Sequence, residues 1–407
     1  MNDILIGHDD IDREMELHWN LRSKPTESPN KNLLVTGNKG FGKTHTILHL
    51  LRENARSGLP AIVLDYSNSF TESQIDDMDP NYRASVKEFL QYIDIKKNKL
   101  PINPFKLYYT ADEERETESD AANRIANLFA HIFKFQKQQR FVIYDFFRLF
   151  FFAQTVTEKG ADVKLPKDLS DETVNRMKDQ IIAMKDDINP LSLLRSYLIE
   201  FEGSLQDSAN RVLSAMASFI DMDLFSHDTM DWDEFLGNEG KITIIELGKY
   251  GKHNRNMILE FLLWDLWDYV FDKGSANKPF VVVFDECQEL NYGDSGPIST
   301  ILRQDRKFGL SAWFITQYLH GDDKFDAGAI NSLEQAANTM YFRPTNNDVR
   351  YLADKLEPDD LDFWMGKLRS LGQGQCIVKG YFVKQGNQSR TKECPPKIIN
   401  IPRLQAE

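Results

Sequence analysis

The residues best suited to chemistry are Gly37-Asn38-Lys39-Gly40-Phe41-Gly42-Lys43-Thr44, which satisfy the spacing GxxxxGK[ST] completely. Gly37, Gly40 and Gly42 allow backbone N–H groups to approach phosphate oxygens with no Cβ in the way, and a helix starting here adds its partial positive charge. Lys43 is placed to reach β- and γ-phosphates, and the Thr44 hydroxyl to ligate Mg²⁺. All eight residues, Gly37, Asn38, Lys39, Gly40, Phe41, Gly42, Lys43 and Thr44, are therefore expected to bind nucleotide, with ATP and Mg²⁺ as cofactors.

Such a loop needs a second element, because the metal requires an anchoring carboxylate and the attacking water must be positioned. Phe280-Val281-Val282-Val283-Phe284-Asp285-Glu286 supplies both: an apolar strand delivers Asp285 to the metal, and Glu286 polarises the water. Adjacent acids of this kind favour hydrolysis over phosphotransfer. Gln317 ends another strand, Leu310 to Thr316, where it either contacts the γ-phosphate and its water or caps the strand. Three arginines, Arg303, Arg306 and Arg343, are candidates for stabilising transition-state charge on a nucleotide held by a neighbouring subunit. For Arg303 and Arg306 a solvated helix face is the rival reading.

Strand-like runs at Asn32–Thr36, Ala61–Asp65, Ile242–Leu247, Phe280–Asp285, Ser311–Thr316, Thr339–Phe342 and Gln375–Phe382 must position these groups. Several are continuously apolar, as in strands covered on both faces, which predicts an α/β fold with a mainly parallel sheet and crossover helices. Lys43 to Ser57 reads as the first crossover helix, with Ile47, Leu50 and Leu51 on one face and Gly58 and Pro60 as the stop. Between residues 106 and 240 helical periodicity takes over, in Glu118–Phe135, Phe141–Gln154, Thr173–Met184, Leu191–Phe201 and Ser208–Ile220, with Glu158–Lys167 as a loop. The expected organisation is thus 1–105 as the first part of an ATPase core, 106–240 as an all-helical insertion, and 241–407 as the rest of the core.

The 407 residues include 49 Lys and Arg against 62 Asp and Glu, a formal net charge of -13, so nucleic acid is not coated by the whole surface. Any such contact is local. The three cysteines, Cys287, Cys376 and Cys394, lie far apart, which supports neither a disulfide framework nor a zinc site and suggests a reducing compartment. No signal peptide is evident at the N-terminus, and the apolar stretch Phe141–Ala153 is broken by Asp145 and Arg148, so no membrane span and a cytoplasmic location are expected.

Taken together, Gly37–Thr44, Ile62–Tyr66, Pro101-Ile102-Asn103-Pro104-Phe105, Asp285-Glu286, the helix Arg303–Gly309 and Ile315-Thr316-Gln317 resemble the HerA/FtsK superfamily of P-loop motor ATPases, and within it the HerA-like branch. The resemblance implies a RecA-like core, self-association into a hexameric ring, and nucleotide at subunit boundaries. Ile4-Leu5-Ile6-Gly7, His18-Trp19 and Asp65–Phe70 also look like the DptH-type ATPases of phosphorothioation-linked DNA restriction. What the resemblance implies is an ATP-hydrolysing DNA translocase or remodeller in a defence or DNA-processing complex, with a nuclease or another defence protein as partner. Two alternatives stand beside it: a nucleotide-gated assembly switch, and a coupling ATPase of conjugation or type IV secretion. For DNA, the basic loop Lys249–Arg255, with Lys249, Lys252 and Arg255, is the expected contact, and Phe133–Arg140 is a second basic, aromatic stretch; a solvated loop and a helix end are their rival readings.

Overall fold

The computed structural model describes residues 3–22, 28–78, 80–109, 114–160, 163–184, 190–230, 232–237, 240–293, 296–320, 325–384 and 393–402. The chain divides into two compact units. One comprises Met1–Asp94, Asp233–Leu259 and Gly274–Glu407; the other comprises Ile95–Trp232 and Glu260–Lys273. The helical part therefore begins at Ile95, earlier than the expected 106, and it recruits residues from beyond 240.

In chain order the strands are β1 (Ile4–Asp9), β2 (Glu16–Trp19), β3 (Leu33–Thr36), β4 (Ala61–Asp65), β5 (Leu90–Asp94), β6 (Leu100–Ile102), β7 (Phe225–Met230), β8 (Ile242–Glu246), β9 (Phe280–Phe284), β10 (Leu310–Thr316), β11 (Asn338–Tyr341), β12 (Gln375–Gly380), β13 (Val383–Lys384) and β14 (Cys394–Asn400). The first unit holds a 12-stranded sheet of order β13-β2-β1-β14-β12-β11-β3-β10-β9-β4-β8-β5. From β11 to β5 every pairing is parallel. The remaining strands are antiparallel, β12 to β11 and β14, β1 to β14 and β2, and β13 to β2. Sequence reading found six of the seven parallel strands, and missed β5 together with β1, β2, β13 and β14, whose residues mix polar and apolar types.

Both faces of the parallel core are covered, which is why β3, β4, β8, β9 and β10 are buried at every position. The helix Lys43–Arg56 buries Ile47, Leu48, Leu50 and Leu51 in the same core cluster as Val63, Val283 and Ile315. Gly58, at φ 77°, turns the chain back toward β4 after the helix ends. The antiparallel strands join this core: Trp19 of β2 stacks on Trp313 of β10 at 5.7 Å, with Phe382 edge-on at 5.8 Å.

Parallel register makes the carboxyl ends of neighbouring strands level. Thr36 pairs with Thr316 and with Tyr341, and Leu64 with Phe284, so the segments after β3, β4, β9 and β10 emerge along one edge. In open parallel sheets this edge is where ligands bind.

The second unit contains the helices Glu118–Phe133, Lys137–Lys159, Asp171–Ala183, Pro190–Glu200 and Gln206–Asp221 together with the short parallel pair β6–β7. Its all-helical expectation is thus corrected by that pair, and the expected loop from Glu158 overlaps the last two residues of the helix that runs to Lys159. Its core is aromatic: Phe105, Phe129, Phe147, Phe219, Phe225 and Phe261 are all buried, with Phe105 stacked on Phe147 at 5.5 Å. The Asn103-Pro104-Phe105 element serves this packing, since Asn103 Oδ1 accepts the Phe105 N–H at 3.1 Å and the phenyl ring enters the cluster. Among the described residues no helix is long and apolar enough to cross a membrane.

Candidate active site

β3 runs into Gly37, whose φ of 146° only glycine adopts readily, and a Cβ there would lie 2.6 Å from Phe342 Cβ. The loop that follows is anchored from the far side: Asn38 N–H donates to Arg343 O at 2.8 Å and its amide to Pro344 O at 2.9 Å. Phe41 O accepts from Gly374 N–H at 3.1 Å. Gly42, at φ 103°, then opens the helix Lys43–Arg56 with no side-chain cap, leaving first-turn N–H groups free for an anion.

Lys43 is buried, and its ammonium donates to Gly37 O at 2.5 Å and Asn38 O at 3.0 Å. Burial holds its pKa down at about 8, against the opposing pull of Glu286 and Asp285. A cation so placed has carbonyl dipoles around it but no direct anionic partner.

The carboxylates face the complementary problem. Asp285, at the end of β9, is pushed up to about 7, first by burial, then by the charge of Asp65, while Ser67 opposes the shift. Ser67 donates to Asp285 Oδ2 through its hydroxyl and, at 3.3 Å, through its N–H. Asp65 closes β4 and accepts Ser69 N–H at 2.9 Å and Phe70 N–H at 3.1 Å; burial, with Glu246 adding to it, raises its pKa to about 6. A divalent cation beside Asp285 and a polyphosphate on Lys43 would relieve both imbalances, so the donor set fits Mg²⁺ and ATP. Among the described residues no cluster of three or more His, Cys, Asp or Glu side chains forms a metal cage. Nucleotide-bound Mg²⁺ needs none, because phosphate oxygens and waters complete its shell.

Glu286 adopts φ 52°, unusual for a residue with a side chain and a recurrent mark of functional positions. Gln317 donates its amide to Glu286 Oε1 at 2.7 Å, and Gln288 donates to Oε2. Thr316 donates to Gln288 Oε1 at 3.0 Å, which ties the tip of β10 to the same carboxylate. Lys43, Thr44, Asp285, Glu286 and Gln317 together line an open cleft of about 370 Å³, with Lys39, Gly40 and Gly42 on its loop side.

Sequence reasoning missed Asp65 as a charged neighbour, Ser67, Ser69, Gln288 and Gln373. Asp65-Tyr66-Ser67 after an apolar strand was the available signal for the first three; Gln373 enters the cleft from a turn before β12 and has no local signature.

The arginines occupy different settings. Arg343 lies over the Phe41 ring of its own chain, 5.5 Å from the centroid. Arg303 is exposed on the helix Pro297–Phe308, and the Arg306 side chain lies outside the described residues. The basic stretch after β8 is not a free loop, since a helix, Lys252–Lys273, begins within it. Lys249 pairs with Asp94 at 2.6 Å and with Glu246, Lys252 with Glu289 at 3.0 Å, and Arg255 donates to Tyr66 O at 2.6 Å. In the other stretch, Phe133 and Phe135 stack at 5.5 Å, and Arg140 is bonded to Asn127 and Asn123.

No protein-family model and no curated protein sequence matches this chain. Solved structures do. VirB4 of Thermoanaerobacter pseudethanolicus superposes with a TM-score of 0.59 at 14% identity, over 98% of this chain and 96% of that one. The plasmid coupling protein TrwB in complex with ADP and Mg²⁺ gives 0.55 at 13% identity, over 92% and 86%. A bacterial conjugative coupling protein TrwB crystal form with sulphate gives 0.55 at 12%, over 95% and 89%. At such identities the likeness establishes the fold alone, an α/β architecture with a large, mostly parallel sheet.

Proposed function

We propose that this chain is a Mg²⁺-dependent ATPase that drives DNA, in the manner of a conjugative coupling or type IV secretion motor. The observation that carries the reading is the convergence of Lys43, Asp285, Glu286 and Gln317 on one cleft at the carboxyl edge of the sheet. The structural neighbours support it, because TrwB is a plasmid coupling protein seen with ADP and Mg²⁺ and with a non-hydrolysable ATP analogue. They favour the coupling-ATPase alternative over a restriction ATPase. Of the residues that suggested restriction, Ile4, Ile6 and Trp19 are buried in the sheet core, where they pack rather than react.

In this reading Lys43 leaves its two carbonyls for the β- and γ-phosphates, and first-turn N–H groups of its helix bind phosphate oxygens. Thr44 and Asp285 would hold Mg²⁺, which would supply positive charge to offset that of the phosphates. Glu286 accepts the proton of the attacking water, with its carboxylate fixed by Gln317 and Gln288. Gln317 bonds to the base and follows directly on β10, so a contact from its amide to the γ-phosphate would register whether that group is present. A ring of subunits, with Arg303 or Arg306 reaching a neighbour's nucleotide, extends the proposal; Lys249, Lys252 and Arg255 contact DNA only if the ion pairs of the two lysines and the backbone hydrogen bonds of the arginine open.

Hydrolysis measured with and without DNA tests the motor reading. Stimulation of turnover by DNA supports it. Turnover indifferent to DNA, with a mass increase on adding a non-hydrolysable ATP analogue, identifies an assembly switch instead.

A further inference from the structure

The second unit contains a cavity of about 440 Å³ between the helix Glu118–Phe133 and residues 264–272 of the helix Lys252–Lys273. One wall is aromatic: His131 stacks on Trp264 with centroids 4.6 Å apart and planes 22° from parallel. Trp264, Asp268 and Asp272 follow at four-residue intervals, so the indole and two carboxylates form one stripe along the helix. Phe271 stands at the rim, 57% exposed.

The charges in this cavity do not balance. Its only cation among the described lining residues, Arg124, is mostly engaged elsewhere: it donates twice to Glu116 at 3.0 Å, to Lys106 O at 2.8 Å and to Pro104 O at 3.1 Å. Lys273, next along the helix, lies over the Tyr269 ring. The Asp268 carboxylate is partly buried, lines the cavity and makes no hydrogen bond or ion pair with any described residue. Burial pushes its pKa up to about 7 against the pull of Arg124, with the charges of Asp265 and Asp272 adding to the rise. Burial and Lys134 hold the His131 pKa down, which keeps that ring from supplying the missing charge.

A partly buried carboxylate with no hydrogen-bond donor of its own, lining a cavity with an aromatic side chain, is stabilised by a cation that stacks on the ring and donates to the acid. A phosphate is repelled. A guanidinium fits better than an ammonium, because its flat face matches the indole while its fork can reach two carboxylates spaced one helical turn apart. We infer that this cavity is a recognition site for an arginine side chain presented by a partner protein. The exposed Phe271 at the rim offers apolar contact beyond the guanidinium, which suits a polypeptide segment over a free amino acid. The inference is independent of the ATPase reading, since none of its residues lines the nucleotide cleft.

Calorimetric titration of the full chain with a nine-residue peptide centred on one arginine tests this, beside the same peptide carrying citrulline, which keeps the shape and removes the charge. Saturable binding of the arginine peptide, at least tenfold weaker for citrulline, is expected. Asp268→Asn and Trp264→Leu should each weaken the arginine peptide by tenfold or more while ATP turnover stays at the wild-type rate. Should either variant fail to fold, Asp272→Asn and the citrulline comparison on the wild-type chain carry the decision. Equal binding of the two peptides, affinity unmoved by any of the three substitutions, or tighter binding of free L-arginine or guanosine than of the peptide overturns the proposal.

Discussion

Gln317 donates its side-chain amide to Glu286 at 2.7 Å, joining the residue after β10 to the carboxylate after β9. The two are brought together because β9 and β10 are parallel neighbours in register, Phe314 opposite Phe284. A base held in this way has a defined direction before any water arrives, which is the preorganisation that general-base catalysis requires.

Replacing Gln317 by Leu should therefore slow hydrolysis by about tenfold or more while leaving nucleotide affinity within a few-fold, because the amide orients the base and does not bind phosphate in the ground state. Single-turnover rates and a nucleotide-binding titration separate the two effects. Equal losses in both would place Gln317 in ground-state binding.

Nucleotide-free stability should depend on pH in a definite direction. Asp285 and Asp65 titrate near 7 and 6 in the folded chain, above the ordinary carboxylate value of 3.8. Between these values the folded state holds protons that the unfolded state releases, so stability falls as pH rises from about 4 to about 7. Thermal unfolding without Mg²⁺ should show a lower Tm at pH 8 than at pH 5.5, and Asp285→Asn should flatten the difference. A Tm insensitive to both changes contradicts the crowded-carboxylate description.

Lys43 carries the opposite signature. With its pKa at about 8 in the free protein, it is largely neutral at pH 9 and must be protonated to meet phosphate. Nucleotide binding at pH 9 should take up a proton, seen as a binding enthalpy that varies with buffer ionisation heat. At pH 7 Lys43 is already charged while Asp285, at about 7, gives up protons as Mg²⁺ binds, so net uptake should give way to net release.

How much of this was legible depended on where each constraint arises. The loop Gly37–Thr44 could be read because positive φ at Gly37, Gly40 and Gly42 restricts the residue types at fixed spacing. Asp285-Glu286 could be read because a fully buried strand announces where its polar ends must be. The Ser67–Asp285 and Asp65–Glu246 neighbourhoods were not legible, since strands far apart in sequence create them. β5 escaped because Leu90-Gln91-Tyr92-Ile93-Asp94 lies at the sheet edge and is only partly buried. The basic run from Lys249 was legible as a loop only up to Gly251, where the helix Lys252–Lys273 takes over, and the pairing of Lys249 with Asp94 and Glu246 and of Lys252 with Glu289 had no local signal.

Gly37→Ala probes how the loop is held. A Cβ at 2.6 Å from Phe342 and a strained φ should together cost about 2 kcal/mol or more in stability. Nucleotide affinity should fall with it, because the loop can relieve the clash only by leaving β11. A shift in Tm of under a degree would show that the segment after β11 does not constrain the loop.

Arg343 is the arginine whose role the geometry restricts most. Its stacking on Phe41 puts it beside the nucleotide loop of its own chain. Arg343→Ala should then lower turnover without rescue when mixed with Lys43→Ala, whereas Arg303→Ala, if that residue acts across a boundary, should regain partial activity in the same mixture. Recovery by Arg343→Ala would assign it to the neighbour's site.

The central claim is that the cleft hydrolyses ATP with Glu286 as base and Lys43 as phosphate ligand, and Glu286→Gln tests it most directly. Turnover and nucleotide binding should be measured together on the wild type, Glu286→Gln and Lys43→Ala, each with Mg²⁺. The account predicts that Glu286→Gln binds ATP near the wild-type affinity with turnover reduced by about 10² to 10⁴, while Lys43→Ala loses binding. Wild-type turnover in Glu286→Gln would contradict it.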